Sequence, residues 1–199
     1  MSNLNSNTII LATGNAGKIR EFRALLSSKH CIPQGDLNIS DADETGSTFI
    51  ENALLKARHA SRISNMPAIA DDSGLVIPCL NGKPGIYSSR FAGDNATDQE
   101  NIERVLYLLE KNANTPVDAF FYCAIALIQH ADDPTPLFGT GRLMGQIITT
   151  PKGSDGFGYD PIFYLPEERC TLAELTPAKK NALSHRAQAL KAMNAPFGA

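Results

Sequence analysis

No stretch of this 199-residue chain stays apolar for anything near the ~20 residues of a membrane-crossing helix, so a helical span is excluded. Residues 1–8 are polar and lack the basic region and apolar core of a secretory leader, so a cytoplasmic location without membrane insertion is expected. Cysteine is sparse: Cys31, Cys79, Cys123 and Cys170 lie far apart, form neither a close-spaced zinc pattern nor a dense disulfide framework, and should be reduced thiols. An excess of one charge is also lacking. A net charge of -3 gives no general attraction to a polyanion, which argues against a nucleic-acid polymer as partner while leaving room for a small phosphorylated ligand. Internal repeats and low-complexity linkers are absent. What remains is ordinary globular material, 43% hydrophobic and 20% charged, and long enough to bury a core as a single domain, 1–199, without staples.

The pattern along the chain alternates strand and helix. Residues 9–12 read as a short buried strand, and 13–17 as a loop feeding a helix with Ile19, Phe22, Leu25 and Leu26 on one face. Thr48 and Glu51 have capping-box spacing ahead of a second helix with an Ile50, Ala53, Leu54 and Ala57 stripe, ending before Pro67. Thr97 and Glu100 repeat the box before Ile102, Val105, Leu106 and Leu109. Residues 119–128 are rich in aromatic and β-branched side chains and predict a long central strand, returned by a turn at 132–136 into a strand through Leu137 and Phe138. Thr176-Pro177 opens one last helix through Ala182, Leu183, Ala187, Leu190 and Met193. The order predicts an α/β fold with a mixed sheet, bent or split into two lobes.

Chemistry concentrates in a few places. In Ala68-Ile69-Ala70-Asp71-Asp72-Ser73-Gly74-Leu75, two carboxylates follow an apolar run, and because neighbours on a strand point to opposite faces, they can serve one site only if the strand stops and the chain turns under them at Gly74. Such oxygens suit Mg²⁺, which takes one or two protein carboxylates plus waters and phosphates; a solvated turn with a capping Asp is the alternative. Thr13-Gly14-Asn15-Ala16-Gly17-Lys18 can aim backbone N–H groups and an ammonium at an anion. It is not a Walker A loop, because Ala12 replaces the first glycine and Ile19 the metal-binding Ser or Thr. Glu44 sits in an acidic stretch before the second helix, and Lys56, one residue past its apolar stripe, either faces solvent or reaches a phosphate. The turn-rich segment 153–161 carries Phe157, Tyr159 and Asp160 on a bent backbone that could stack on a base or be a purely structural turn. Lys180 and Ser184 share a helix face flanked by His185 and Arg186, which are either ligand donors or solvated, ion-paired side chains.

Taken in order, the strings Thr13 to Lys18, Thr48-Phe49-Ile50-Glu51-Asn52-Ala53, Ala70-Asp71-Asp72-Ser73-Gly74-Leu75, Gly156-Phe157-Gly158-Tyr159-Asp160-Pro161 and Ser184-His185-Arg186 resemble the inosine triphosphate pyrophosphatase family, also called the Ham1 family. Pro84-Gly85-Ile86-Tyr87-Ser88-Ser89-Arg90 looks like a further family segment. The resemblance implies an α/β fold with a mixed, elongated and bent central sheet flanked by helices, two lobes and a cleft between them. It implies a homodimeric, Mg²⁺-dependent enzyme that hydrolyses dITP, ITP and XTP to monophosphate and pyrophosphate. By position, Thr13, Gly14, Asn15, Ala16, Gly17 and Lys18 would hold the triphosphate with help from Lys56, and Ser73 would touch substrate. Asp72 would be the general base, with Glu44, Asp71 and Asp72 as metal ligands. Phe157, Gly158, Tyr159, Asp160, Lys180, His185 and Arg186 would enclose and read the base. Two rivals stay open: an aspartyl-nucleophile phosphatase, whose Asp-x-Asp arrangement this chain lacks, and a nucleotide-binding module without turnover.

Overall fold

The computed structural model describes residues 7–112 and 116–193, which divide into two compact units. The first takes in 7–72, 123–141 and 186–193, and the second 73–122 and 142–185. Seven strands form one sheet among the described residues: β1 (Thr8–Leu11), β2 (His30–Pro33), β3 (Ala68–Val76), β4 (Val117–Ile128), β5 (Leu137–Ile147), β6 (Phe163–Leu165) and β7 (Cys170–Thr171), in spatial order β2-β1-β3-β4-β5-β6-β7. Pairing is parallel for β1 with β2 and β3, and antiparallel for β6 with β5 and β7, so the sheet is mixed as expected, with β4 at its centre. The chain passes from one unit to the other within β3, β4 and β5, and again between His185 and Arg186.

In the first unit the side-chain period of two sorts the strands onto two apolar layers. Ile9, Leu11, Ile69, Ile125 and Leu127 pack with Phe22 and Leu26 beside helix α1 (Ala16–Leu25) and with Ala189 and Leu190 of helix α5 (His185–Ala192). Ile10, Ala12, Ala68, Ala70, Ala126 and Ile128 pack instead on Ala53, Ala57 and Ala60 of helix α2 (Phe49–Ser64). Alanine on both sides lets α2 lie close to the sheet. In the second unit one core joins Leu75, Ile77, Ala119, Phe121 and Ile147 to Ile102, Val105 and Leu109 of helix α3 (Asp98–Asn112), and to Tyr159, Ile162 and Phe163.

The predicted caps are present. The Thr48 side chain accepts from Glu51 N, and Thr97 and Glu100 exchange hydrogen bonds at the start of α3. Three expectations are corrected. Ile50 is 41% exposed, because the buried stripe of α2 runs through Asn52, Ala53, Ala57, Ala60 and Ser61. The last helix is two, α4 (Pro177–Leu183) and α5, broken where Ser184 adopts an extended ψ of 149° as the C-cap of α4. Most consequentially, β3 does not stop at the carboxylates but continues to Val76. Gly74 makes no positive-φ turn; it is required because a Cβ there would run into the carbonyl of Gly85 and the hydroxyl of Ser88.

Candidate active site

Because β3 stays extended, Asp71 and Asp72 point to opposite faces and face different helices. Asp71 shares the face of Ile69, toward α1 and α5. Its Oδ2 accepts from Arg186 Nη2 at 2.6 Å and Nε at 3.2 Å and lies 3.2 Å from Lys18 Nζ, while Arg186 Nη1 donates to Glu21. Burial opposes ionisation of Asp71, but the charges of Arg186, Lys18 and Lys56 more than offset it and hold the carboxyl well below the usual carboxylate range. The same pairing keeps Arg186 charged although it is fully buried. Among the described residues the buried Asp71 Oδ1 has no hydrogen-bond partner.

Asp72 faces α2. Lys56 Nζ sits 2.9 Å from Asp72 Oδ1 and 2.7 Å from Glu44 Oε1, so one ammonium bridges both carboxylates. Asn52 Nδ2 donates to the other oxygen, Asp72 Oδ2, at 3.2 Å. Burial raises the Asp72 pKa above its ordinary value, more than Lys56 and Lys18 lower it, and the Glu44 charge adds to the rise. Burial disfavours charge on Lys56, yet Asp72, Asp71 and Glu44 outweigh it and raise its pKa. Two adjacent carboxylates thus differ: one is locked as an anion, and the other is a stronger base than an exposed Asp.

The loop before α1 is built around its cap. Asn15 Oδ1 accepts from Lys18 N at 3.0 Å and Thr13 Oγ1 from Asn15 N at 3.2 Å, so the Asn15 carbonyl oxygen serves as helix cap. Thr13, Gly14 and Ala16, with the buried Gly17, form the entry to α1, whose first turn contains no acidic residue to offset its positive end.

In the second unit, the 153–161 segment closes on Asp160. Its Oδ2 accepts from Phe157 N at 2.9 Å and from Lys180 Nζ at 2.5 Å, and the Lys180 ammonium lies 4.4 Å from the centroid of the Phe157 ring. A Cβ on Gly156, at φ 87°, would collide with the Asp160 carboxylate. Gly158 N donates to Asp98 Oδ2 at 2.6 Å. His185 stacks on Phe121 with centroids 5.0 Å apart and 11° between planes. Ser73, at the start of this unit, is half-buried.

Two predicted base readers have protein partners of their own. Tyr159 is 4% exposed, packs in the core and donates its hydroxyl to Ser88 O at 2.8 Å, so its ring is spent on structure. Arg186 spends its guanidinium on Asp71 and Glu21 inside the first unit. Sequence reasoning also missed Glu21, Asn52 and Asp98. Asn52 carried a usable signal: it sits four residues before Lys56, on the same helix face, within a stripe otherwise made of alanines and one serine.

Among the described residues no group of three His, Cys, Asp or Glu side chains is arranged to hold a metal ion. Mg²⁺ does not need one, since it completes an octahedron with waters and phosphate oxygens. The Glu44 and Asp72 carboxylates, already holding a cation between them, are hard oxygen donors of the kind it prefers; Asp71, on the opposite face of β3, is paired instead with Arg186 and Lys18. Among the described residues no helix is long and apolar enough to cross a membrane.

The sequence profile of the Ham1 family matches residues 9–195. A dITP/XTP pyrophosphatase of Legionella pneumophila (strain Lens) is 58% identical over 187 residues, covering 94% of this chain and 96% of the relative. One from Idiomarina loihiensis is 50% identical over 194 residues, covering 94% and 96%. Among solved structures, a HAM1 protein from Coxiella burnetii superposes with a TM-score of 0.85 at 50% identity, covering 92% of this chain and 94% of that one. A nucleoside-triphosphatase, or dITP/XTP pyrophosphatase, from Mycobacterium abscessus gives a TM-score of 0.73 at 36% identity, covering 94% and 98%.

Proposed function

The chain belongs to the Ham1 family, and from that premise we propose that it hydrolyses the non-canonical purine nucleotides dITP, ITP and XTP to monophosphate and pyrophosphate with the help of Mg²⁺. It is a nucleoside triphosphate pyrophosphatase, and such an activity keeps deaminated purines out of DNA and RNA. The observation that carries the reading is the ammonium of Lys56 held between Glu44 and Asp72, with Asp72 raised in basicity by its burial.

Phosphate chemistry is assigned to the first unit. Lys18 and the backbone N–H groups at the start of α1 receive the triphosphate, and Lys56 turns from the carboxylates toward it. Asp72 orients a water and takes its proton as the oxygen attacks the α phosphorus; the bridging bond to the β phosphate breaks and pyrophosphate leaves. Glu44 and Asp72 are the groups that would hold Mg²⁺, which would neutralise charge on the leaving pyrophosphate.

Base recognition is assigned to the second unit. Phe157 offers a stacking face, with Gly158 and Asp160 shaping its loop, and Lys180 and His185 offer donors to a C6 carbonyl. Adenine presents a donor at that position and would leave such groups unpaired, a mismatch that supports strong rejection. Ser73 is assigned a substrate contact on the strength of its place in the motif. Dimerisation is part of the same reading: the outward side of β4 and β5 carries half-buried Phe120 and Tyr122 with Arg142 at 5.0 and 5.5 Å from their rings and Met144 62% exposed, the composition of a protein interface. Sedimentation of Met144→Asp, expected to be monomeric, checks it.

The test is product identification. ITP, dITP, XTP, ATP and GTP are each incubated with the protein and Mg²⁺. Inosine monophosphate with pyrophosphate supports the reading; inosine diphosphate with orthophosphate, or intact ITP, overturns it.

A further inference from the structure

Asn52 is completely buried and makes two hydrogen bonds in opposite directions. Its Oδ1 accepts from Gly46 N at 2.8 Å, and its Nδ2 donates to Asp72 Oδ2 at 3.2 Å. The orientation of the amide is forced: a backbone N–H can only donate, so the carbonyl end must face Gly46 and the NH₂ end must face Asp72. The fit at Gly46 is equally tight, since a Cβ there would stand 2.7 Å from Asn52 Oδ1 and 2.7 Å from Glu51 Cβ. Gly46 lies two residues beyond Glu44, whose carboxylate joins Asp72 through Lys56. The segment bearing Glu44 and the strand bearing Asp72 are therefore tied twice, once by an ammonium that substrate phosphate can draw away and once by a neutral amide that it cannot.

We propose that Asn52 is a positioning residue for Asp72. It fixes the rotation of the Asp72 carboxylate by occupying one oxygen, leaves the other oxygen for water or metal, and keeps the Glu44 segment in place when Lys56 turns to the substrate. This role rests on the reading of Asp72 as the general base.

Two substitutions separate the two hydrogen bonds. Asn52→Asp retains an acceptor for Gly46 N but has no donor for Asp72; Asn52→Ala removes both and introduces no charge, so it serves if the acid prevents folding. With ITP and Mg²⁺, both are expected to lower kcat by ~10- to 100-fold with KM within about threefold of the parent, as for partners that orient a metal-site carboxylate. Backbone hydrogen exchange of the peptide containing Gly46, measured without nucleotide, should quicken in Asn52→Ala and stay slow in Asn52→Asp. A folded Asn52→Ala with parental kcat, or a loss confined to KM, overturns the role while parental turnover still upholds the proposed function. A parental protein that leaves ITP intact overturns the function, and the role with it.

Discussion

The two units bury charge in different ways. The first packs four carboxylates and three cations along both faces of one strand: Asp71 with Arg186, Lys18 and Glu21, and Asp72 with Lys56 and Glu44. The second sets one ion pair, Lys180 with Asp160, under the Phe157 ring. Cations overcome burial at Asp71, while burial, helped by the Glu44 charge, prevails at Asp72, which is how neighbouring aspartates come to have a depressed and a raised pKa. A single pair beside an aromatic ring compensates itself and presents a shaped, weakly polar surface instead. The first arrangement suits proton transfer beside phosphates, the second the reading of a base.

The sharpest way to break this contrast is Asp72→Asn. It should retain the fold and lower turnover by ~10²- to 10⁴-fold, the usual worth of a general base, with the ITP KM little changed; steady-state kinetics decide. Next is Arg186→Met, which strands Asp71 and Glu21 in a buried site and should cost ~3–5 kcal/mol of stability in denaturant melts. The second unit should answer differently. Phe157→Ala should raise KM for ITP by about 5- to 150-fold, the equivalent of roughly 1–3 kcal/mol of stacking, with kcat nearly intact. The smallest effect is expected at Asp133, where the carboxylate is held by backbone rather than by cations: it accepts from Gln129 N at 2.9 Å and Thr135 N at 2.8 Å. Burial opposes its ionisation and these N–H donors outweigh it, lowering its pKa. Its stabilisation is thus complete above the unfolded value of about 3.9 and fades as pH falls through the lower folded one. Asp133→Ala should lower Tm at pH 7 by the equivalent of about 1 kcal/mol, leave turnover unchanged, and converge with the parent in thermal melts under strong acid.

What could be read in the amino-acid order was what local physics fixes. The caps at Thr48 and Thr97 are contacts between residues three apart, and the helices they open are where they were expected. The β3 strand was misread because two aspartates and a glycine resemble a turn until their neutralising partners are known. Arg186 reaches Asp71 across 115 positions and Glu21 across 165. Tyr159 finds its acceptor 71 positions away, so nothing near it announces a core residue. The break at Ser184 carries neither glycine nor proline, and apolar spacing continues across it. For β3, Arg186 and Tyr159 the deciding partner is distant in the chain.

Hydrolysis of ITP in ¹⁸O-labelled water, with mass analysis of both products, tests most directly whether an activated water attacks the α phosphorus. The account predicts label in inosine monophosphate and unlabelled pyrophosphate. Label in pyrophosphate or in orthophosphate would contradict it.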